Sequence, residues 1–385
     1  MPAAPSSPTV PVIGHLAGFA GEAGPGLLAL LAKIEDPRHR RGVRHRLVVI
    51  LALAVCAVLA GARSFTAIAE WATDADEETP ARLGVTGKVP AESTIRQLLQ
   101  RLDVDAFDKL AGAWAAQRTA PVAGRRRVVA VDGKTLRGSG RGGQDAPHLL
   151  AALDHAHGAV LGQVEVGAKT NEITRFSVLL DPVDIRDAVI TADALHAQRD
   201  HAGYLHRRGA HYLITVKGNQ PHLFAQLKTL PWRQIPIAHE SRGRGHGRDE
   251  HRTIKVTSVA AGLLFPHAAQ AIQIRRRRRP AGTNKWSAET SYGITSLGFT
   301  QASAAELAAI IRGHWGIEDR LHWVRDMDFD EDRSQARTAA GPRIMASLRN
   351  LVITILRLAG AASIAAALRY HARRPSRPLQ TIMKC

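Results

Sequence analysis

Asp132 ends the apolar run VVAVD, and Asp193 ends a second such run, DAVITAD. Glu318 stands among bulky side chains in the stretch Gly313 to Ser334, GHWGIEDRLHWVRDMDFDEDRS. In open α/β sheets functional groups gather beyond strand ends, so two strand-end aspartates and a helix-borne glutamate can meet there. Three hard oxygen donors in one place suit Mg2+, which prefers octahedral oxygen coordination and keeps waters that substrate phosphates can displace; Mn2+ can substitute. Without a cation the three charges would repel, and one would tend to take up a proton. Two such ions can activate a water or a 3′-hydroxyl on one side of a phosphodiester and stabilise the leaving oxygen on the other. Each acid also has a plainer reading, as a turn or helix cap for the aspartates and as a partner of Arg312 or Arg325 for Glu318.

The elements that must position these acids are legible in the chain. Ser303 and Glu306 have capping-box spacing and open a run with Leu307, Ile310, Ile311, Trp315, Leu321 and Val324 near helical period. One helix through this run puts Ile311, His314, Glu318, Leu321 and Arg325 on a single stripe, so Glu318 is expected to face inward. Gly313 and Gly316 weaken that helix and mark close approach of another backbone. Asp326, Asp328 and Asp330 have the first three spacings of a calcium loop, but Glu331 and Arg337 stand where the loop needs glycine and glutamate. A solvated, charge-rich loop is the expectation for Asp326 to Asp332.

From Arg125 the texture is that of strands. Segments 128–132, 148–154 and 159–166 read as three strands, followed by a helix capped near Asn171 and running to Leu180. A strand to Asp193, a helix from Leu195 to Arg208 and a strand from His211 to Lys217 complete the order β-β-β-α-β-α-β. That is a ribonuclease-H-like order, a mixed α/β sheet with helices packed on it. Residues 218–300 read as a largely β insertion carrying the basic run Arg275 to Arg279. Arg275, Arg276 and Arg277 suit a phosphate backbone or, more plainly, form a solvated patch. Lys134 and Arg137 beside Asp132, His196 and Gln198 after Asp193, and Lys217 and Asn219 beyond the fifth strand are candidate DNA contacts or ordinary polar loop ends. Gly133-Lys134-Thr135 is not a phosphate loop, because Val128 stands where that motif needs glycine.

A formal net charge of +18 over 385 residues points to a polyanionic partner, nucleic acid more often than an anionic membrane surface. Leu47 to Ala60 is apolar but too short to span a bilayer, and Ile344 to Leu368 is interrupted by Arg349 and Arg357, so both are expected to be packed helices. Cys56 and Cys385 are the only cysteines, which excludes a disulfide framework and agrees with the cytoplasm. A nucleoid-associated cytoplasmic location is the expectation. Residues 1–25, rich in Pro, Ala, Gly and Ser, read as a flexible tail, and 26–118 as a helical N-terminal domain. There Ser64 and Ser93 can cap two helices, the second bearing Arg96, Gln97 and Arg101, as a helix-turn-helix or as part of a plain bundle. Residues 125–358 read as the catalytic domain and 359–385 as a C-terminal helix and tail.

Five blocks resemble the DDE transposases of bacterial insertion sequences, specifically their H-repeat-associated group: Val129 to Ser139, Gly167 to Thr174, Val189 to Gln198, Tyr212 to Pro221 and His314 to Arg337. The likeness runs from about residue 26 to 358. It implies that Asp132, Asp193 and Glu318 are the catalytic, metal-binding triad, and that the reaction is cleavage at element ends followed by strand transfer into double-stranded target DNA. It also implies at least a dimer when two ends are paired. A related group carries tyrosine, arginine and lysine at positions that fall on Ile311, His314 and Arg325, of which only the basic character of Arg325 is kept; His314 and Arg325 join the candidate DNA contacts. A catalytically silent DNA-binding copy and a purely hydrolytic nuclease are the alternatives.

Overall fold

The structure, a computed structural model, describes residues 25–41, 43–121, 124–140, 146–167, 170–245, 247–259, 263 and 265–385. The expected tail over 1–25 lies outside them except for Pro25, which leads into the first helix. Six helices come first: α1 (Leu27–Leu31), α2 (Leu47–Leu59), α3 (Phe65–Asp74), α4 (Glu78–Arg82), α5 (Glu92–Arg101) and α6 (Val104–Arg118). α2 is apolar on every side and buried along almost its whole length, so it is the centre of this bundle. Ser64 caps α3 by accepting from the Ala67 N–H at 3.1 Å. The second expected cap is displaced: α5 starts at Glu92, behind Ala91, and Ser93 lies inside its first turn. α4 separates α3 from α5, and α5 buries Ile95, Leu98 and Leu99. Arg96 pairs with Glu92 within α5, and Arg101 donates to the Pro37 carbonyl.

The sheet is formed by β1 (Val128–Thr135), β2 (His148–Asp154), β3 (Val160–Val166), β4 (Val189–Ala192), β5 (His211–Val216), β6 (His239–Gly245), β7 (Arg248–Ser258), β8 (Gln270–Pro280) and β9 (Ser287–Thr295). Between strands lie α7 (Glu172–Leu180), α8 (Arg199–Arg207) and α9 (Pro221–Thr229). The strand order is β3-β2-β1-β4-β5-β9-β8-β7-β6. β1, β2 and β3 are antiparallel neighbours, β1, β4 and β5 run parallel, and β9 joins β5 antiparallel. The first five strands with α7 and α8 are a ribonuclease-H-like core of mixed α/β class. The insertion continues the same sheet, so its long antiparallel strands extend the platform beside β5.

α7 packs against β2 and β3 on one face of the sheet, while α12 (Gly341–Leu358) and α6 meet β3 on the side of Gln163, the face that also carries Asp132; all join a core continuous with the N-terminal bundle. Farther along the Asp132 face lies a smaller cluster, Val189, Leu213, Ile254, Ile272 and Leu307, beneath α10 (Ala304–His314). The chain then passes through a π turn, Glu318–His322, into α11 (Trp323–Met327). The expected single helix is therefore three pieces. The apolar C-terminal stretch is likewise two helices, α12 and α13 (Ile364–Ala372), separated at Gly360, whose φ of 80° suits glycine. α14 (Ser376–Met383) packs on α1 and α2, and the Cys385 carbonyl accepts from the Leu27 N–H and the Trp114 indole. Among the described residues no helix is long and apolar enough to cross a membrane.

Candidate active site

Register puts the two aspartates side by side. In the parallel β1–β4 ladder Val131 faces Ala192, so Asp132 and Asp193 occupy the next matching positions. With side chains alternating along a strand, both point to the face that buries Val128 and Val189, the face covered by α10. β1 does not end at Asp132, as the run VVAVD suggested, but continues to Thr135 through its pairing with β2. Asp193 caps the turn after β4, accepting from the Leu195 N–H at 2.9 Å.

The helix segment delivers Glu318 to the same place. α10 opens on the expected capping box between Ser303 and Glu306. A Cβ at Gly313 would stand 2.7 Å from His155 Nδ1, so glycine lets α10 close on the sheet. Glu318 does not face inward: its side chain is 58% exposed and it pairs with His322, not with Arg312 or Arg325. His322 Nδ1 lies 3.2 Å from Glu318 Oε2 and 3.6 Å from Asp132 Oδ2. Asp132, Asp193 and Glu318 all line one cavity of about 500 Å³ between α10 and the sheet, with Lys217, Arg276 and His314 also in its wall.

Burial raises the Asp132 carboxyl above its ordinary range; His322 opposes the rise, and the charges of Glu172 and Asp193 add to it. The hydrogen bond with His322 outweighs desolvation at Glu318 and holds it below the usual glutamate range. Crowded carboxylates of this kind are relieved by a cation. One ligand atom each from Asp132, Glu318 and His322 lie within 4.8 Å of one another, and two of them are hard oxygen donors, so the residues fit a divalent ion.

The other candidates divide by environment. Lys134 is taken up by Asp326 at 2.7 Å. Arg137 is exposed, with Asp332 at 3.8 Å. Gln198 donates to the Leu195 carbonyl and Asn219 to the Ala194 carbonyl, so both brace the turn behind Asp193. Arg276 is neutralised by Glu250. Arg275 and Arg277 point to the opposite face of β8 by alternation, and Arg277 lies 4.9 Å from the Trp286 ring. His314 is half-buried beside Asp193 with its Nδ1 3.0 Å from the Thr191 hydroxyl, and desolvation takes it down to about 4.

Two expected DNA contacts are inaccessible. His196 is buried against Phe176, with Nε2 3.1 Å from Glu172. Arg325 has no exposed surface and binds Glu331, which also holds Arg349. Glu331 is therefore no part of a solvated loop. Sequence reasoning passed over His322, although its place four residues beyond Glu318 is the signal. It also gave no role to Glu172, which receives His148 at 2.7 Å as well as His196. Burial opposes ionisation of Glu172, but the two histidines bring it down to about 2.

A family profile described as "Transposase DDE domain" matches residues 123–355. The chain belongs to the DDE transposase family. A second profile, "DDE_Tnp_1-associated", matches residues 28–115. The chain is 31% identical over 350 residues to "Putative transposase YncI" of Escherichia coli O157:H7, covering 86% of this chain and 87% of that protein. It is 29% identical over 353 residues to "H repeat-associated putative transposase YhhI" of Escherichia coli (strain K12), covering 86% and 90%. Among solved structures, a piggyBac transposase synaptic complex with hairpin DNA aligns over 96% of this chain and 80% of that chain, with a TM-score of 0.43 and 12% identity. Membership in this transposase family implies the use of a divalent metal.

Proposed function

We propose that this protein is an insertion-sequence transposase that binds the ends of its element, cleaves the DNA there and transfers the freed strand to double-stranded target DNA. The observation that carries the proposal is the meeting of Asp132 and Asp193, on adjacent parallel strands, with Glu318 in one cavity. Asp132, Asp193 and Glu318 are the catalytic, metal-holding carboxylates, and Mg2+ is the ion expected from the oxygen donors, with Mn2+ able to replace it. When bound, the metal lowers the pKa of an attacking water or 3′-hydroxyl and offsets charge on the leaving oxygen.

The remaining steps belong to the chain. Asp132 stands between its two partners, next to Asp193 across the ladder and joined to Glu318 through His322. The sheet fixes the aspartates, and α10 with its π turn fixes the glutamate, so the attacking and leaving oxygens are held in line by a rigid frame. Lys217 faces the same cavity and positions phosphates; Arg137, Arg275 and Arg277 offer exposed cations outside it. Two element ends joined in one reaction call for at least two protomers, and the DNA substrate places the work at the nucleoid.

The test is cleavage and joining of a plasmid carrying the gene's own flanking DNA with Mg2+ or Mn2+. Asp132→Asn, Asp193→Asn and Glu318→Gln should each lose cleavage by at least about a hundredfold while DNA binding stays near that of the wild type. Near-normal cutting by all three would defeat the proposal. Cutting without joined products would make the protein a hydrolytic nuclease, and end binding without cutting a silent copy.

A further inference from the structure

We propose that His322 is itself a metal ligand, its Nδ1 completing with Asp132 and Glu318 a site of one nitrogen and two carboxylates. The inference rests on the reading of Asp132 and Glu318 as metal-binding carboxylates and adds a donor that this reading lacks. It also changes the expected ion. Mg2+ takes oxygen ligands, whereas imidazole nitrogen suits first-row divalent ions better, so His322 shifts the site's preference toward Mn2+.

The distances carry the argument. Two donors at right angles around an ion, each about 2.1 Å from it, stand about 3.0 Å apart. Nδ1 lies 3.2 Å from Glu318 Oε2 and 3.6 Å from Asp132 Oδ2, close to neighbouring corners of one coordination shell. No backbone movement is needed to bring the three donors together, since all are within 4.8 Å of each other already. Asp193 is not part of this group, and its Oδ1 is engaged by the Leu195 N–H.

Two further observations point the same way. Residues 318–322 form a π turn, closed by the Trp323 N–H on the Glu318 carbonyl, where α10 and α11 on either side are α-helical. Single π turns are rare and concentrate at functional sites. Here the wider turn sets the side chains of Glu318 and His322 toward the same carboxylate, Asp132. The ring is also 3% exposed, and its Nε2 is buried with no hydrogen-bond partner among the described residues. Burying an unpaired ring nitrogen is unfavourable, and an apolar side chain would fill the place without that penalty. The polar engagement of the imidazole is therefore wholly through Nδ1, and both of its partners are candidate metal ligands.

The test uses the full-length, untagged protein without DNA. Mn2+ is titrated in, and pulsed electron paramagnetic resonance reads nitrogen coupled to the bound ion, in wild type grown with ordinary and with 15N-labelled histidine. Imidazole coupling is expected in the wild type, changing with the label. His322→Phe keeps a ring and should lose the coupling and weaken Mn2+ binding at least about tenfold. His322→Asn restores an oxygen near the Nδ1 position and should bind metal without nitrogen coupling, its Mn2+ over Mg2+ preference reduced; thermal unfolding checks that both variants are folded. Oxygen-only coordination in the wild type, no Mn2+ binding by it at millimolar concentration, or unchanged affinity in folded His322→Phe would overturn the inference. The labelled wild type answers without any variant. Oxygen-only coordination together with metal-dependent cutting of element ends would remove His322 and leave the transposase reading standing, while nitrogen-coupled Mn2+ without cutting would do the reverse.

Discussion

Arg325 shows how far a residue's type can mislead about its place. A basic side chain seven residues beyond Glu318 invites a phosphate, yet its guanidinium lies wholly inside the protein, 2.7 Å from Glu331, with Arg349 on the other carboxylate oxygen at 2.8 Å. Burial would raise Glu331, but the two guanidiniums hold it low and ionised. Removing that single anion leaves two buried cations without compensation, so Glu331→Gln should destabilise the fold by about 3–5 kcal/mol, read from chemical denaturation. A loss under about 1 kcal/mol would show the pair to be dispensable. A second residue-scale consequence concerns acid. Desolvation brings His155 down to about 3, helped by His314 and Arg320, and His314 down to about 4, from an ordinary 6.5. Both rings stay neutral in the folded chain while the unfolded chain takes up protons below 6.5. The unfolded state then binds more protons, so stability should be intact above about pH 6.5 and fall as pH drops toward 4. Melting followed between pH 7 and 4.5 checks this, and replacing His155 by Asn should flatten the fall.

At the scale of elements, local signals were reliable where the chain itself satisfies them. The Ser303–Glu306 box, the Asn171 cap and the limits of β2 are set by residues a few places apart, and each stands where periodicity and capping chemistry put it. The passage from α10 to α11 was not legible in this way. Helical spacing continues through it, but Gly313 closes on the His155 ring and Arg320 sits over Gly158 and donates to the His155 carbonyl, contacts between segments more than 150 residues apart. Those contacts fix where α10 stops and which way Glu318 faces. The same kind of close approach makes Gly112 a sensitive position. A Cβ there would overlap the Leu161 carbonyl, where α6 lies on β3. Alanine gains roughly 1 kcal/mol in helix propensity, but the overlap involves backbone that cannot swing aside. Overpacking should prevail, and Gly112→Ala should destabilise by about 1–3 kcal/mol in equilibrium unfolding. A stabilised variant would mean that α6 can slide on the sheet.

For the molecule as a whole, the net charge of +18 bears on association rather than on fold. If the partner is DNA, neutralising phosphates releases counterions, and log K should fall linearly with log salt with a slope of about −0.9 per phosphate contacted. A flat response in a binding titration from 50 to 200 mM salt, conditions where several contacts would cost orders of magnitude, would contradict the inference from charge. The sequence by itself determined the order of strands and helices, because side-chain period, caps and turn residues act over a few positions. It also determined which acids could matter, because Asp132 and Asp193 fall at corresponding places in two apolar runs. Only the tertiary structure decided which cations are free, which are spent on Glu331, Asp326 or Glu250, and that His322 rather than an arginine meets Glu318. An ion pair or a shared cavity joins residues distant in sequence, and burial, which sets their charge and reach, exists only once the sheet, α10 and the N-terminal bundle have closed on one another.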